Sequence, residues 1–201
     1  MKREIIIFDT ETNGMRNCSV LSIALIKLSY NFETDSLEKI GDYYRFYYRK
    51  PHEKPNMGAL SVNGLYDYVI DEKRKNVSYA TYFHEDVEDL KKFVGTCKHF
   101  VAHNISFDKS FMPFSLRYPF CTMNENVDIL RIPKGNRYKW PKLSELSDFY
   151  KVPFDNSKLH DSYYDTLILA RVFYKMLKTP VAREKVLYFL EKNSNYSGTM
   201  K

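Results

Sequence analysis

Cysteine is scarce in this chain: 201 residues hold three, Cys18, Cys97 and Cys121, with no paired spacing. A disulfide framework is excluded, and without CxxC or a Cys/His pattern so is a structural zinc site. An odd, sparse count suits a reducing compartment. No apolar run approaches the roughly 20 residues of a membrane-spanning helix. The run at residues 5–8 is too short for a signal peptide and stops at Asp9. Internal repeats, low-complexity tracts and Gly/Ser linkers are also missing. The expectation from these absences is a soluble, intracellular protein of the cytoplasm with no membrane partner.

What is present points to a folded domain. Apolar residues make up 44% and charged residues 28%, which excludes disorder. The length suits one domain, or a domain with a small appendage, and allows a sizeable core. Thirty-one Lys and Arg against 25 Asp and Glu leave a net charge of +6, which permits an anionic partner without requiring one. The 17 Tyr and 14 Phe can fill a core or stack on bases.

Patterning predicts the elements. The Ile-rich run at 4–8 reads as a buried strand ending at an acid. Residues 19–30 and 40–50 read as two more strands, and short connections make the three an antiparallel meander. Helices are expected at 85–94, 106–116 (with Pro113 a kink or stop), 142–151, 161–178 and 181–192. Strands are expected at 98–103 and within 121–130. A meander followed by alternating helix and strand implies an α/β fold, one mixed sheet flanked by helices.

Basic residues cluster unevenly. Arg131, Lys134, Arg137, Lys139 and Lys142 interleave with Tyr138 and Trp140 in a loop-like segment. Such a run is a solvated face or a surface that tracks phosphates.

Three segments place acids where a fold gains little from them. Asp9 and Glu11 lie two apart, hence on one face of a strand. They repel unless a cation is present, although Asp, Thr, Asn and Gly also suit a strand exit. Asn104 and Asp108 stand where a strand runs into a helix, and each serves equally as a cap or first-turn acid. His160 precedes a helix and Asp165 follows in its first turns. Capping needs only Asp161, and a partly buried Asp165 would be costly without a partner. Together, Asp9, Glu11, Asp108 and Asp165 are oxygen donors suited to hard divalent cations. Two Mg²⁺ or Mn²⁺ ions could clamp the oxygens of a phosphodiester, with His160 taking a proton from water.

This set resembles the DEDDh-type, DnaQ-like 3′–5′ exonuclease family, which includes the proofreading epsilon subunit of DNA polymerase III and RNA-trimming enzymes. D-x-E matches Asp9-Thr10-Glu11, HN followed by FD matches His103-Asn104 and Phe107-Asp108, and H-x4-D matches His160 to Asp165. The match spans about residues 3–178. The tyrosine-bearing sister class is disfavoured because position 161 is Asp; at 162, where a small residue, often Ala, is usual, the small Ser162 stands and leaves the site undisturbed.

The resemblance implies an RNase H-like five-stranded sheet, an exonuclease domain over 1–178, and a C-terminal helix with a short tail over 179–201. It implies two divalent cations, Mg²⁺ or Mn²⁺, with Asp9 bridging both. Glu11 and Asp165 would hold the ion beside the attacking water, Asp108 would support the second ion, and His160 would be the general base. It implies contacts to the terminal nucleotide from Thr10, Thr12, Asn63, Leu65, Asn104 and Phe107; the basic loop, read from its charge pattern, adds Arg137 and Lys139 as strand contacts. The implied partner is a nucleic acid 3′ end, DNA foremost with single-stranded ends preferred, RNA as the alternative. A polymerase or homodimer partner is left open; no Gln-led clamp-binding peptide follows residue 178, which favours a stand-alone enzyme or a subunit held by other surfaces. The alternative of another class is a non-catalytic nucleic-acid-binding or scaffold subunit, which an intact acidic set opposes.

Overall fold

The computed structural model describes residues 1–192; the tail expected after the last helix lies outside the described residues. Strand β1, Lys2–Thr12, occupies the centre of a five-stranded sheet of order β3-β2-β1-β4-β5. Strands β2 (Val20–Asn31) and β3 (Ser36–Phe46) complete the antiparallel meander. Strands β4 (His99–Ala102) and β5 (Tyr118–Cys121) add in parallel on the other side of β1. The expected mixed sheet is therefore present.

Central position explains why Ile5 to Phe8 are all buried. Ile5 and Ile7 face one layer, Ile6 and Phe8 the other, because side chains alternate across a strand. The first layer contains α7 (Leu143–Phe149), α8 (Ser162–Lys178) and α9 (Pro180–Glu191), which supply Leu146, Ile168, Leu169, Val172, Phe173, Val186 and Phe189. The second contains α3 (Val87–Val94), which supplies Leu90 and Val94 beside Phe100. Asp161 caps α8 by accepting from Tyr164 N–H at 2.9 Å, and Pro180 opens α9 at a position that needs no donor. Since α9 shares one core with α8, residues 180–191 pack on the domain.

Four expectations change. β1 does not stop at Asp9; it pairs through Asp9 with Ala24 and Glu11 with Ser22, so both acids stand on the strand. β3 starts and ends four residues earlier than the 40–50 stretch, because the polar residues from Ser36 onward pair with β2 while Tyr47 is buried beyond the strand's end. The helix expected over 106–116 is only α4, Ile105–Asp108, with turns before Pro113. The strand sought in 121–130 lies just before it as β5, an edge strand where Pro119 is tolerated. Residues 122–130 instead form short helices α5 (Thr122–Glu125) and α6 (Val127–Leu130).

Two helices escaped the sequence reading: α1, Met57–Asn63, and α2, Asp67–Lys73. Asn63 is the last residue of α1, and Gly64 ends the helix with φ +69°. Pro133–Lys134 and Arg137–Tyr138 pair as a small hairpin, β6 and β7. Among the described residues no helix is long and apolar enough to cross a membrane.

Candidate active site

The two-residue period that buries Ile5 and Ile7 against α8 continues to Asp9 and Glu11, which therefore face the start of α8. Asp165 lies in the first turn of that helix. Asp108, at the end of α4, is 2% exposed. Its Oδ1 accepts Thr10 N–H at 3.0 Å and Thr10 Oγ1–H at 2.8 Å, which fixes it beside β1. Behind the acids, Ser162 Oγ pairs with Ser22 Oγ, and Thr166 Oγ1 donates to Ser162 O at 2.7 Å. Small Ser162 is thus buried and fastens α8 to β2.

The four carboxylates sense one another. Burial, then the charges of Asp108, Glu11 and Asp165, raises the Asp9 carboxyl well above its ordinary range. Burial, then Asp165 and Asp108, pushes Glu11 up to about 8. Burial pushes Asp108 up to about 7 against the two Thr10 hydrogen bonds, and Asp165 up to about 6 against the His160 N–H. Asp9 Oδ2 and Asp165 Oδ1 are buried without any hydrogen-bond partner among the described residues. Orphaned oxygens inside a group of acids that resist joint ionisation fit hard divalent cations, which satisfy the lone pairs and offset the repulsion.

His160 is exposed and has φ +70°, a backbone conformation uncommon outside glycine. Its N–H donates to Asp165 Oδ2 at 3.0 Å. One ligand atom from each of Glu11, His160 and Asp165 lies within 4.8 Å of the others. The structure therefore brings together the five residues singled out from sequence.

The remaining candidates divide. Asn63 Nδ2 donates to Thr12 O at 3.0 Å, which places α1's end over the site. Leu65 is buried with Leu21, Phe46, Leu60 and Ile70, so in this conformation it packs in a core rather than facing a nucleotide. Thr10 is committed to Asp108, and Thr12 Oγ1 donates to Gly14 O at 2.5 Å. Asn104 is exposed with φ +64°, and the Phe107 ring lies 5.1 Å from Phe111. Asn104, Phe107 and Phe111 line a groove of about 930 Å³ with Arg16, Lys50 and Tyr82. Arg137 is exposed on β7. Lys139 is half-buried in an ion pair with Glu145, so it braces the hairpin against α7 rather than standing free for phosphate.

Two supports were missed. Tyr44 O–H donates to Asp161 Oδ2 at 2.8 Å and so clamps the residue next to His160. Glu53 accepts Asn13 Nδ2 at 2.7 Å and Ser19 N–H at 3.0 Å, tying the chain before α1 to the end of β1. Tyr44 lies in the aromatic-rich third strand, but no sequence signal links it to position 161.

A carboxylate cluster with a histidine, mounted at the end of the first strand of such a sheet, defines a class of α/β nuclease-like folds. A family model described as RNase_T: Exonuclease matches residues 6–173, and the chain belongs to that exonuclease family. Its sequence is 30% identical over 129 residues to the 3′-5′ exonuclease DinG of Staphylococcus saprophyticus, covering 60% of this chain and 14% of that protein. The chain thus spans about one seventh of the length of the first curated relatives it matches. Among solved structures, Exonuclease X in complex with 5′ overhanging duplex DNA has a TM-score of 0.58 and 18% identity, covering 87% of this chain and 91% of that one. The nuclease domain of 3′hExo, a DEDDh family member bound to rAMP, has a TM-score of 0.63 and 12% identity, covering 87% and 92%. Both likenesses establish the RNase H-like fold.

Proposed function

We propose that the chain is a metal-dependent 3′–5′ exonuclease that hydrolyses the 3′-terminal phosphodiester of DNA, single-stranded ends foremost, and releases nucleoside 5′-monophosphates. The carrying observation is the convergence of Asp9, Glu11, Asp108 and Asp165 around two orphaned buried oxygens, with His160 alongside.

Asp9, Glu11 and Asp165 on facing elements, with Asp108, would hold two Mg²⁺ or Mn²⁺ ions. When bound, such ions stabilise the charge that develops on the phosphate and its leaving oxygen. His160 receives the proton of the attacking water; its main chain is spent on Asp165, which leaves the imidazole free to turn. Thr10 orients Asp108 through two hydrogen bonds. Asn63, held at Thr12 O, and Asn104 and Phe107 at the groove, border the terminal nucleotide. Arg137 meets backbone phosphate. The 3′–5′ polarity is supported by the likeness to the 3′-5′ exonuclease DinG.

RNA is the second reading, favoured by the rAMP bound to the nuclease domain of 3′hExo. Degradation of 5′-labelled DNA and RNA, single- and double-stranded, with Mg²⁺ or EDTA, tests both. A metal-dependent ladder from the 3′ end is expected, and relative rates rank the substrates. Absence of metal-dependent shortening on every substrate refutes the proposal.

A further inference from the structure

The hairpin of β6 and β7 is two residues on each strand. Its turn is Gly135-Asn136, with Gly135 at φ +58°, the residue that a primed two-residue turn takes first. Lys139 N–H donates to Ile132 O at 2.9 Å and extends the pairing by one bond. Within it Lys134 stands directly opposite Arg137. Like charges in that arrangement oppose pairing. Among the described residues, no acid or hydrogen-bond acceptor engages either side chain.

Two aromatics share this element. Tyr138 is 44% exposed and Trp140, the chain's single tryptophan, is 69% exposed. An exposed indole this large contributes nothing to the core. Beside unpaired cations it has the composition of a surface on which bases stack while the backbone is neutralised.

The hairpin is rigidly joined to the acidic site. Lys139 is paired with Glu145 of α7. His103 Nε2 lies 3.0 Å from Pro141 O, next to Trp140, and burial lowers the His103 proton affinity to about 4, so the ring is neutral. A carbonyl only accepts, so Nε2 carries the hydrogen and Nδ1 accepts from Thr122 Oγ1 at 3.1 Å. His103 is followed by Asn104 and α4, which ends in Asp108. A chain seated on Trp140 is thereby held in fixed relation to the carboxylates.

We infer that the β6–β7 hairpin and Trp140 form a second binding surface, which takes the single-stranded polynucleotide leading to the scissile bond. Lys134 and Arg137 neutralise phosphates and Trp140 stacks on a base. This rests on the nucleic-acid substrate proposed above, and it adds a reason for the enzyme to favour unpaired chains, whose bases are open to stacking.

Trp140 supplies its own readout. The full chain in EDTA, where no hydrolysis occurs, is titrated with a dT trimer and a dT 12-mer while indole fluorescence is followed. Quenching that saturates with the 12-mer at lower concentration than with the trimer is expected. Lys134→Ala with Arg137→Ala should lower the slope of log binding constant against log salt by about 1.4, near 0.7 for each phosphate left without its cation. Trp140→Ala should raise KM on the 12-mer about tenfold, from loss of one stacked base, with a smaller change in kcat. An unquenched tryptophan in a chain that degrades the 12-mer, or an unchanged KM in Trp140→Ala, overturns the inference. Equal quenching by an oligoglutamate of matching charge would assign the surface to an acidic protein and overturn it as well. Quenching by the 12-mer in a chain that degrades nothing would instead refute the exonuclease reading and leave the binding surface standing.

Discussion

Replacing Asp165 by Asn should stabilise the metal-free protein at alkaline pH, although it removes a proposed metal ligand. Burial moves the Asp165 carboxyl from its ordinary 3.8 to about 6. The folded chain therefore binds this proton more tightly than the unfolded chain does. Its contribution is fully present below 3.8 and is lost as pH rises through about 6. The difference corresponds to about 2–3 kcal/mol once partial exposure is allowed for. Asp108 and Glu11 carry the same sign up to about 7 and about 8. His99 and His103, held near 4 by burial, act oppositely below 6.5, so the informative quantity is a difference between variants. Thermal melts of the wild-type chain and Asp165→Asn, in EDTA at pH 5 and pH 8, give that difference. Only about half of that contribution remains at pH 5, about 1 kcal/mol, so the variant should gain roughly 2–4 °C relative to wild type between the two pH values, at 2–4 °C per kcal/mol for a chain of this size. Mg²⁺ should raise the wild-type midpoint at pH 8 and move the variant much less. An equal gap at both pH values, or a wild-type midpoint indifferent to Mg²⁺, would refute the account of the cluster as repelling acids awaiting cations.

Four further outcomes are expected. Asp9→Ala should abolish hydrolysis, read as loss of the ladder in Mg²⁺; wild-type turnover would remove the metal assignment. His160→Ala should lose about 10²-fold or more in kcat and alter the pH–rate profile, the scale of a missing general base; an unchanged profile counts against that role. Thr10→Val deletes one of the two hydrogen bonds on Asp108 and should weaken Mg²⁺ binding by calorimetry while the fold persists; unaltered Mg²⁺ affinity would show that Thr10 does not prepare the site. Tyr44→Phe removes the bond to Asp161 and should lower kcat more than it changes KM, with a stability loss of about 1 kcal/mol; equal kcat would confine Tyr44 to packing.

Local chemistry made most of the site legible. Asp9 and Glu11 could be placed on one face because a strand has a strict period of two, and Asp165 because a helix cap left it with no local use. Elements with dense hydrophobic patterning, β1, β2, α3, α8 and α9, were readable for the same reason. Elements specified by distant partners were not. β5 contains Pro119 and only four residues, and becomes a strand by pairing with β4. Helix α1 has Met57, Gly58 and Val62 in place of a clean apolar stripe, and is fixed by its Asn56 cap, by Leu60 in a small core and by Asn63 at Thr12 O. The Lys139 pairing and the Tyr44 clamp depend on residues 6 and 117 positions away, respectively, which no spacing rule connects.

The face that carries the acids is a continuation of the core rather than an addition to it. Ile5 and Ile7 press against α8, and the next two residues of that face are Asp9 and Glu11, opposite the first turn of the same helix. Apolar contacts of the lower part of α8 must hold together acids that repel at its upper end. The load falls on Ile168, Leu169, Val172 and Phe173, all buried against β1 and its neighbours. The same continuity sets the register: sliding β1 by one residue against the sheet would exchange Asp9 for Thr10 at the helix and put Phe8 where Ile7 packs. Pairing of Ile7 with Ile26 on one side and Val101 on the other, which buries the core, is therefore the same event that builds the site.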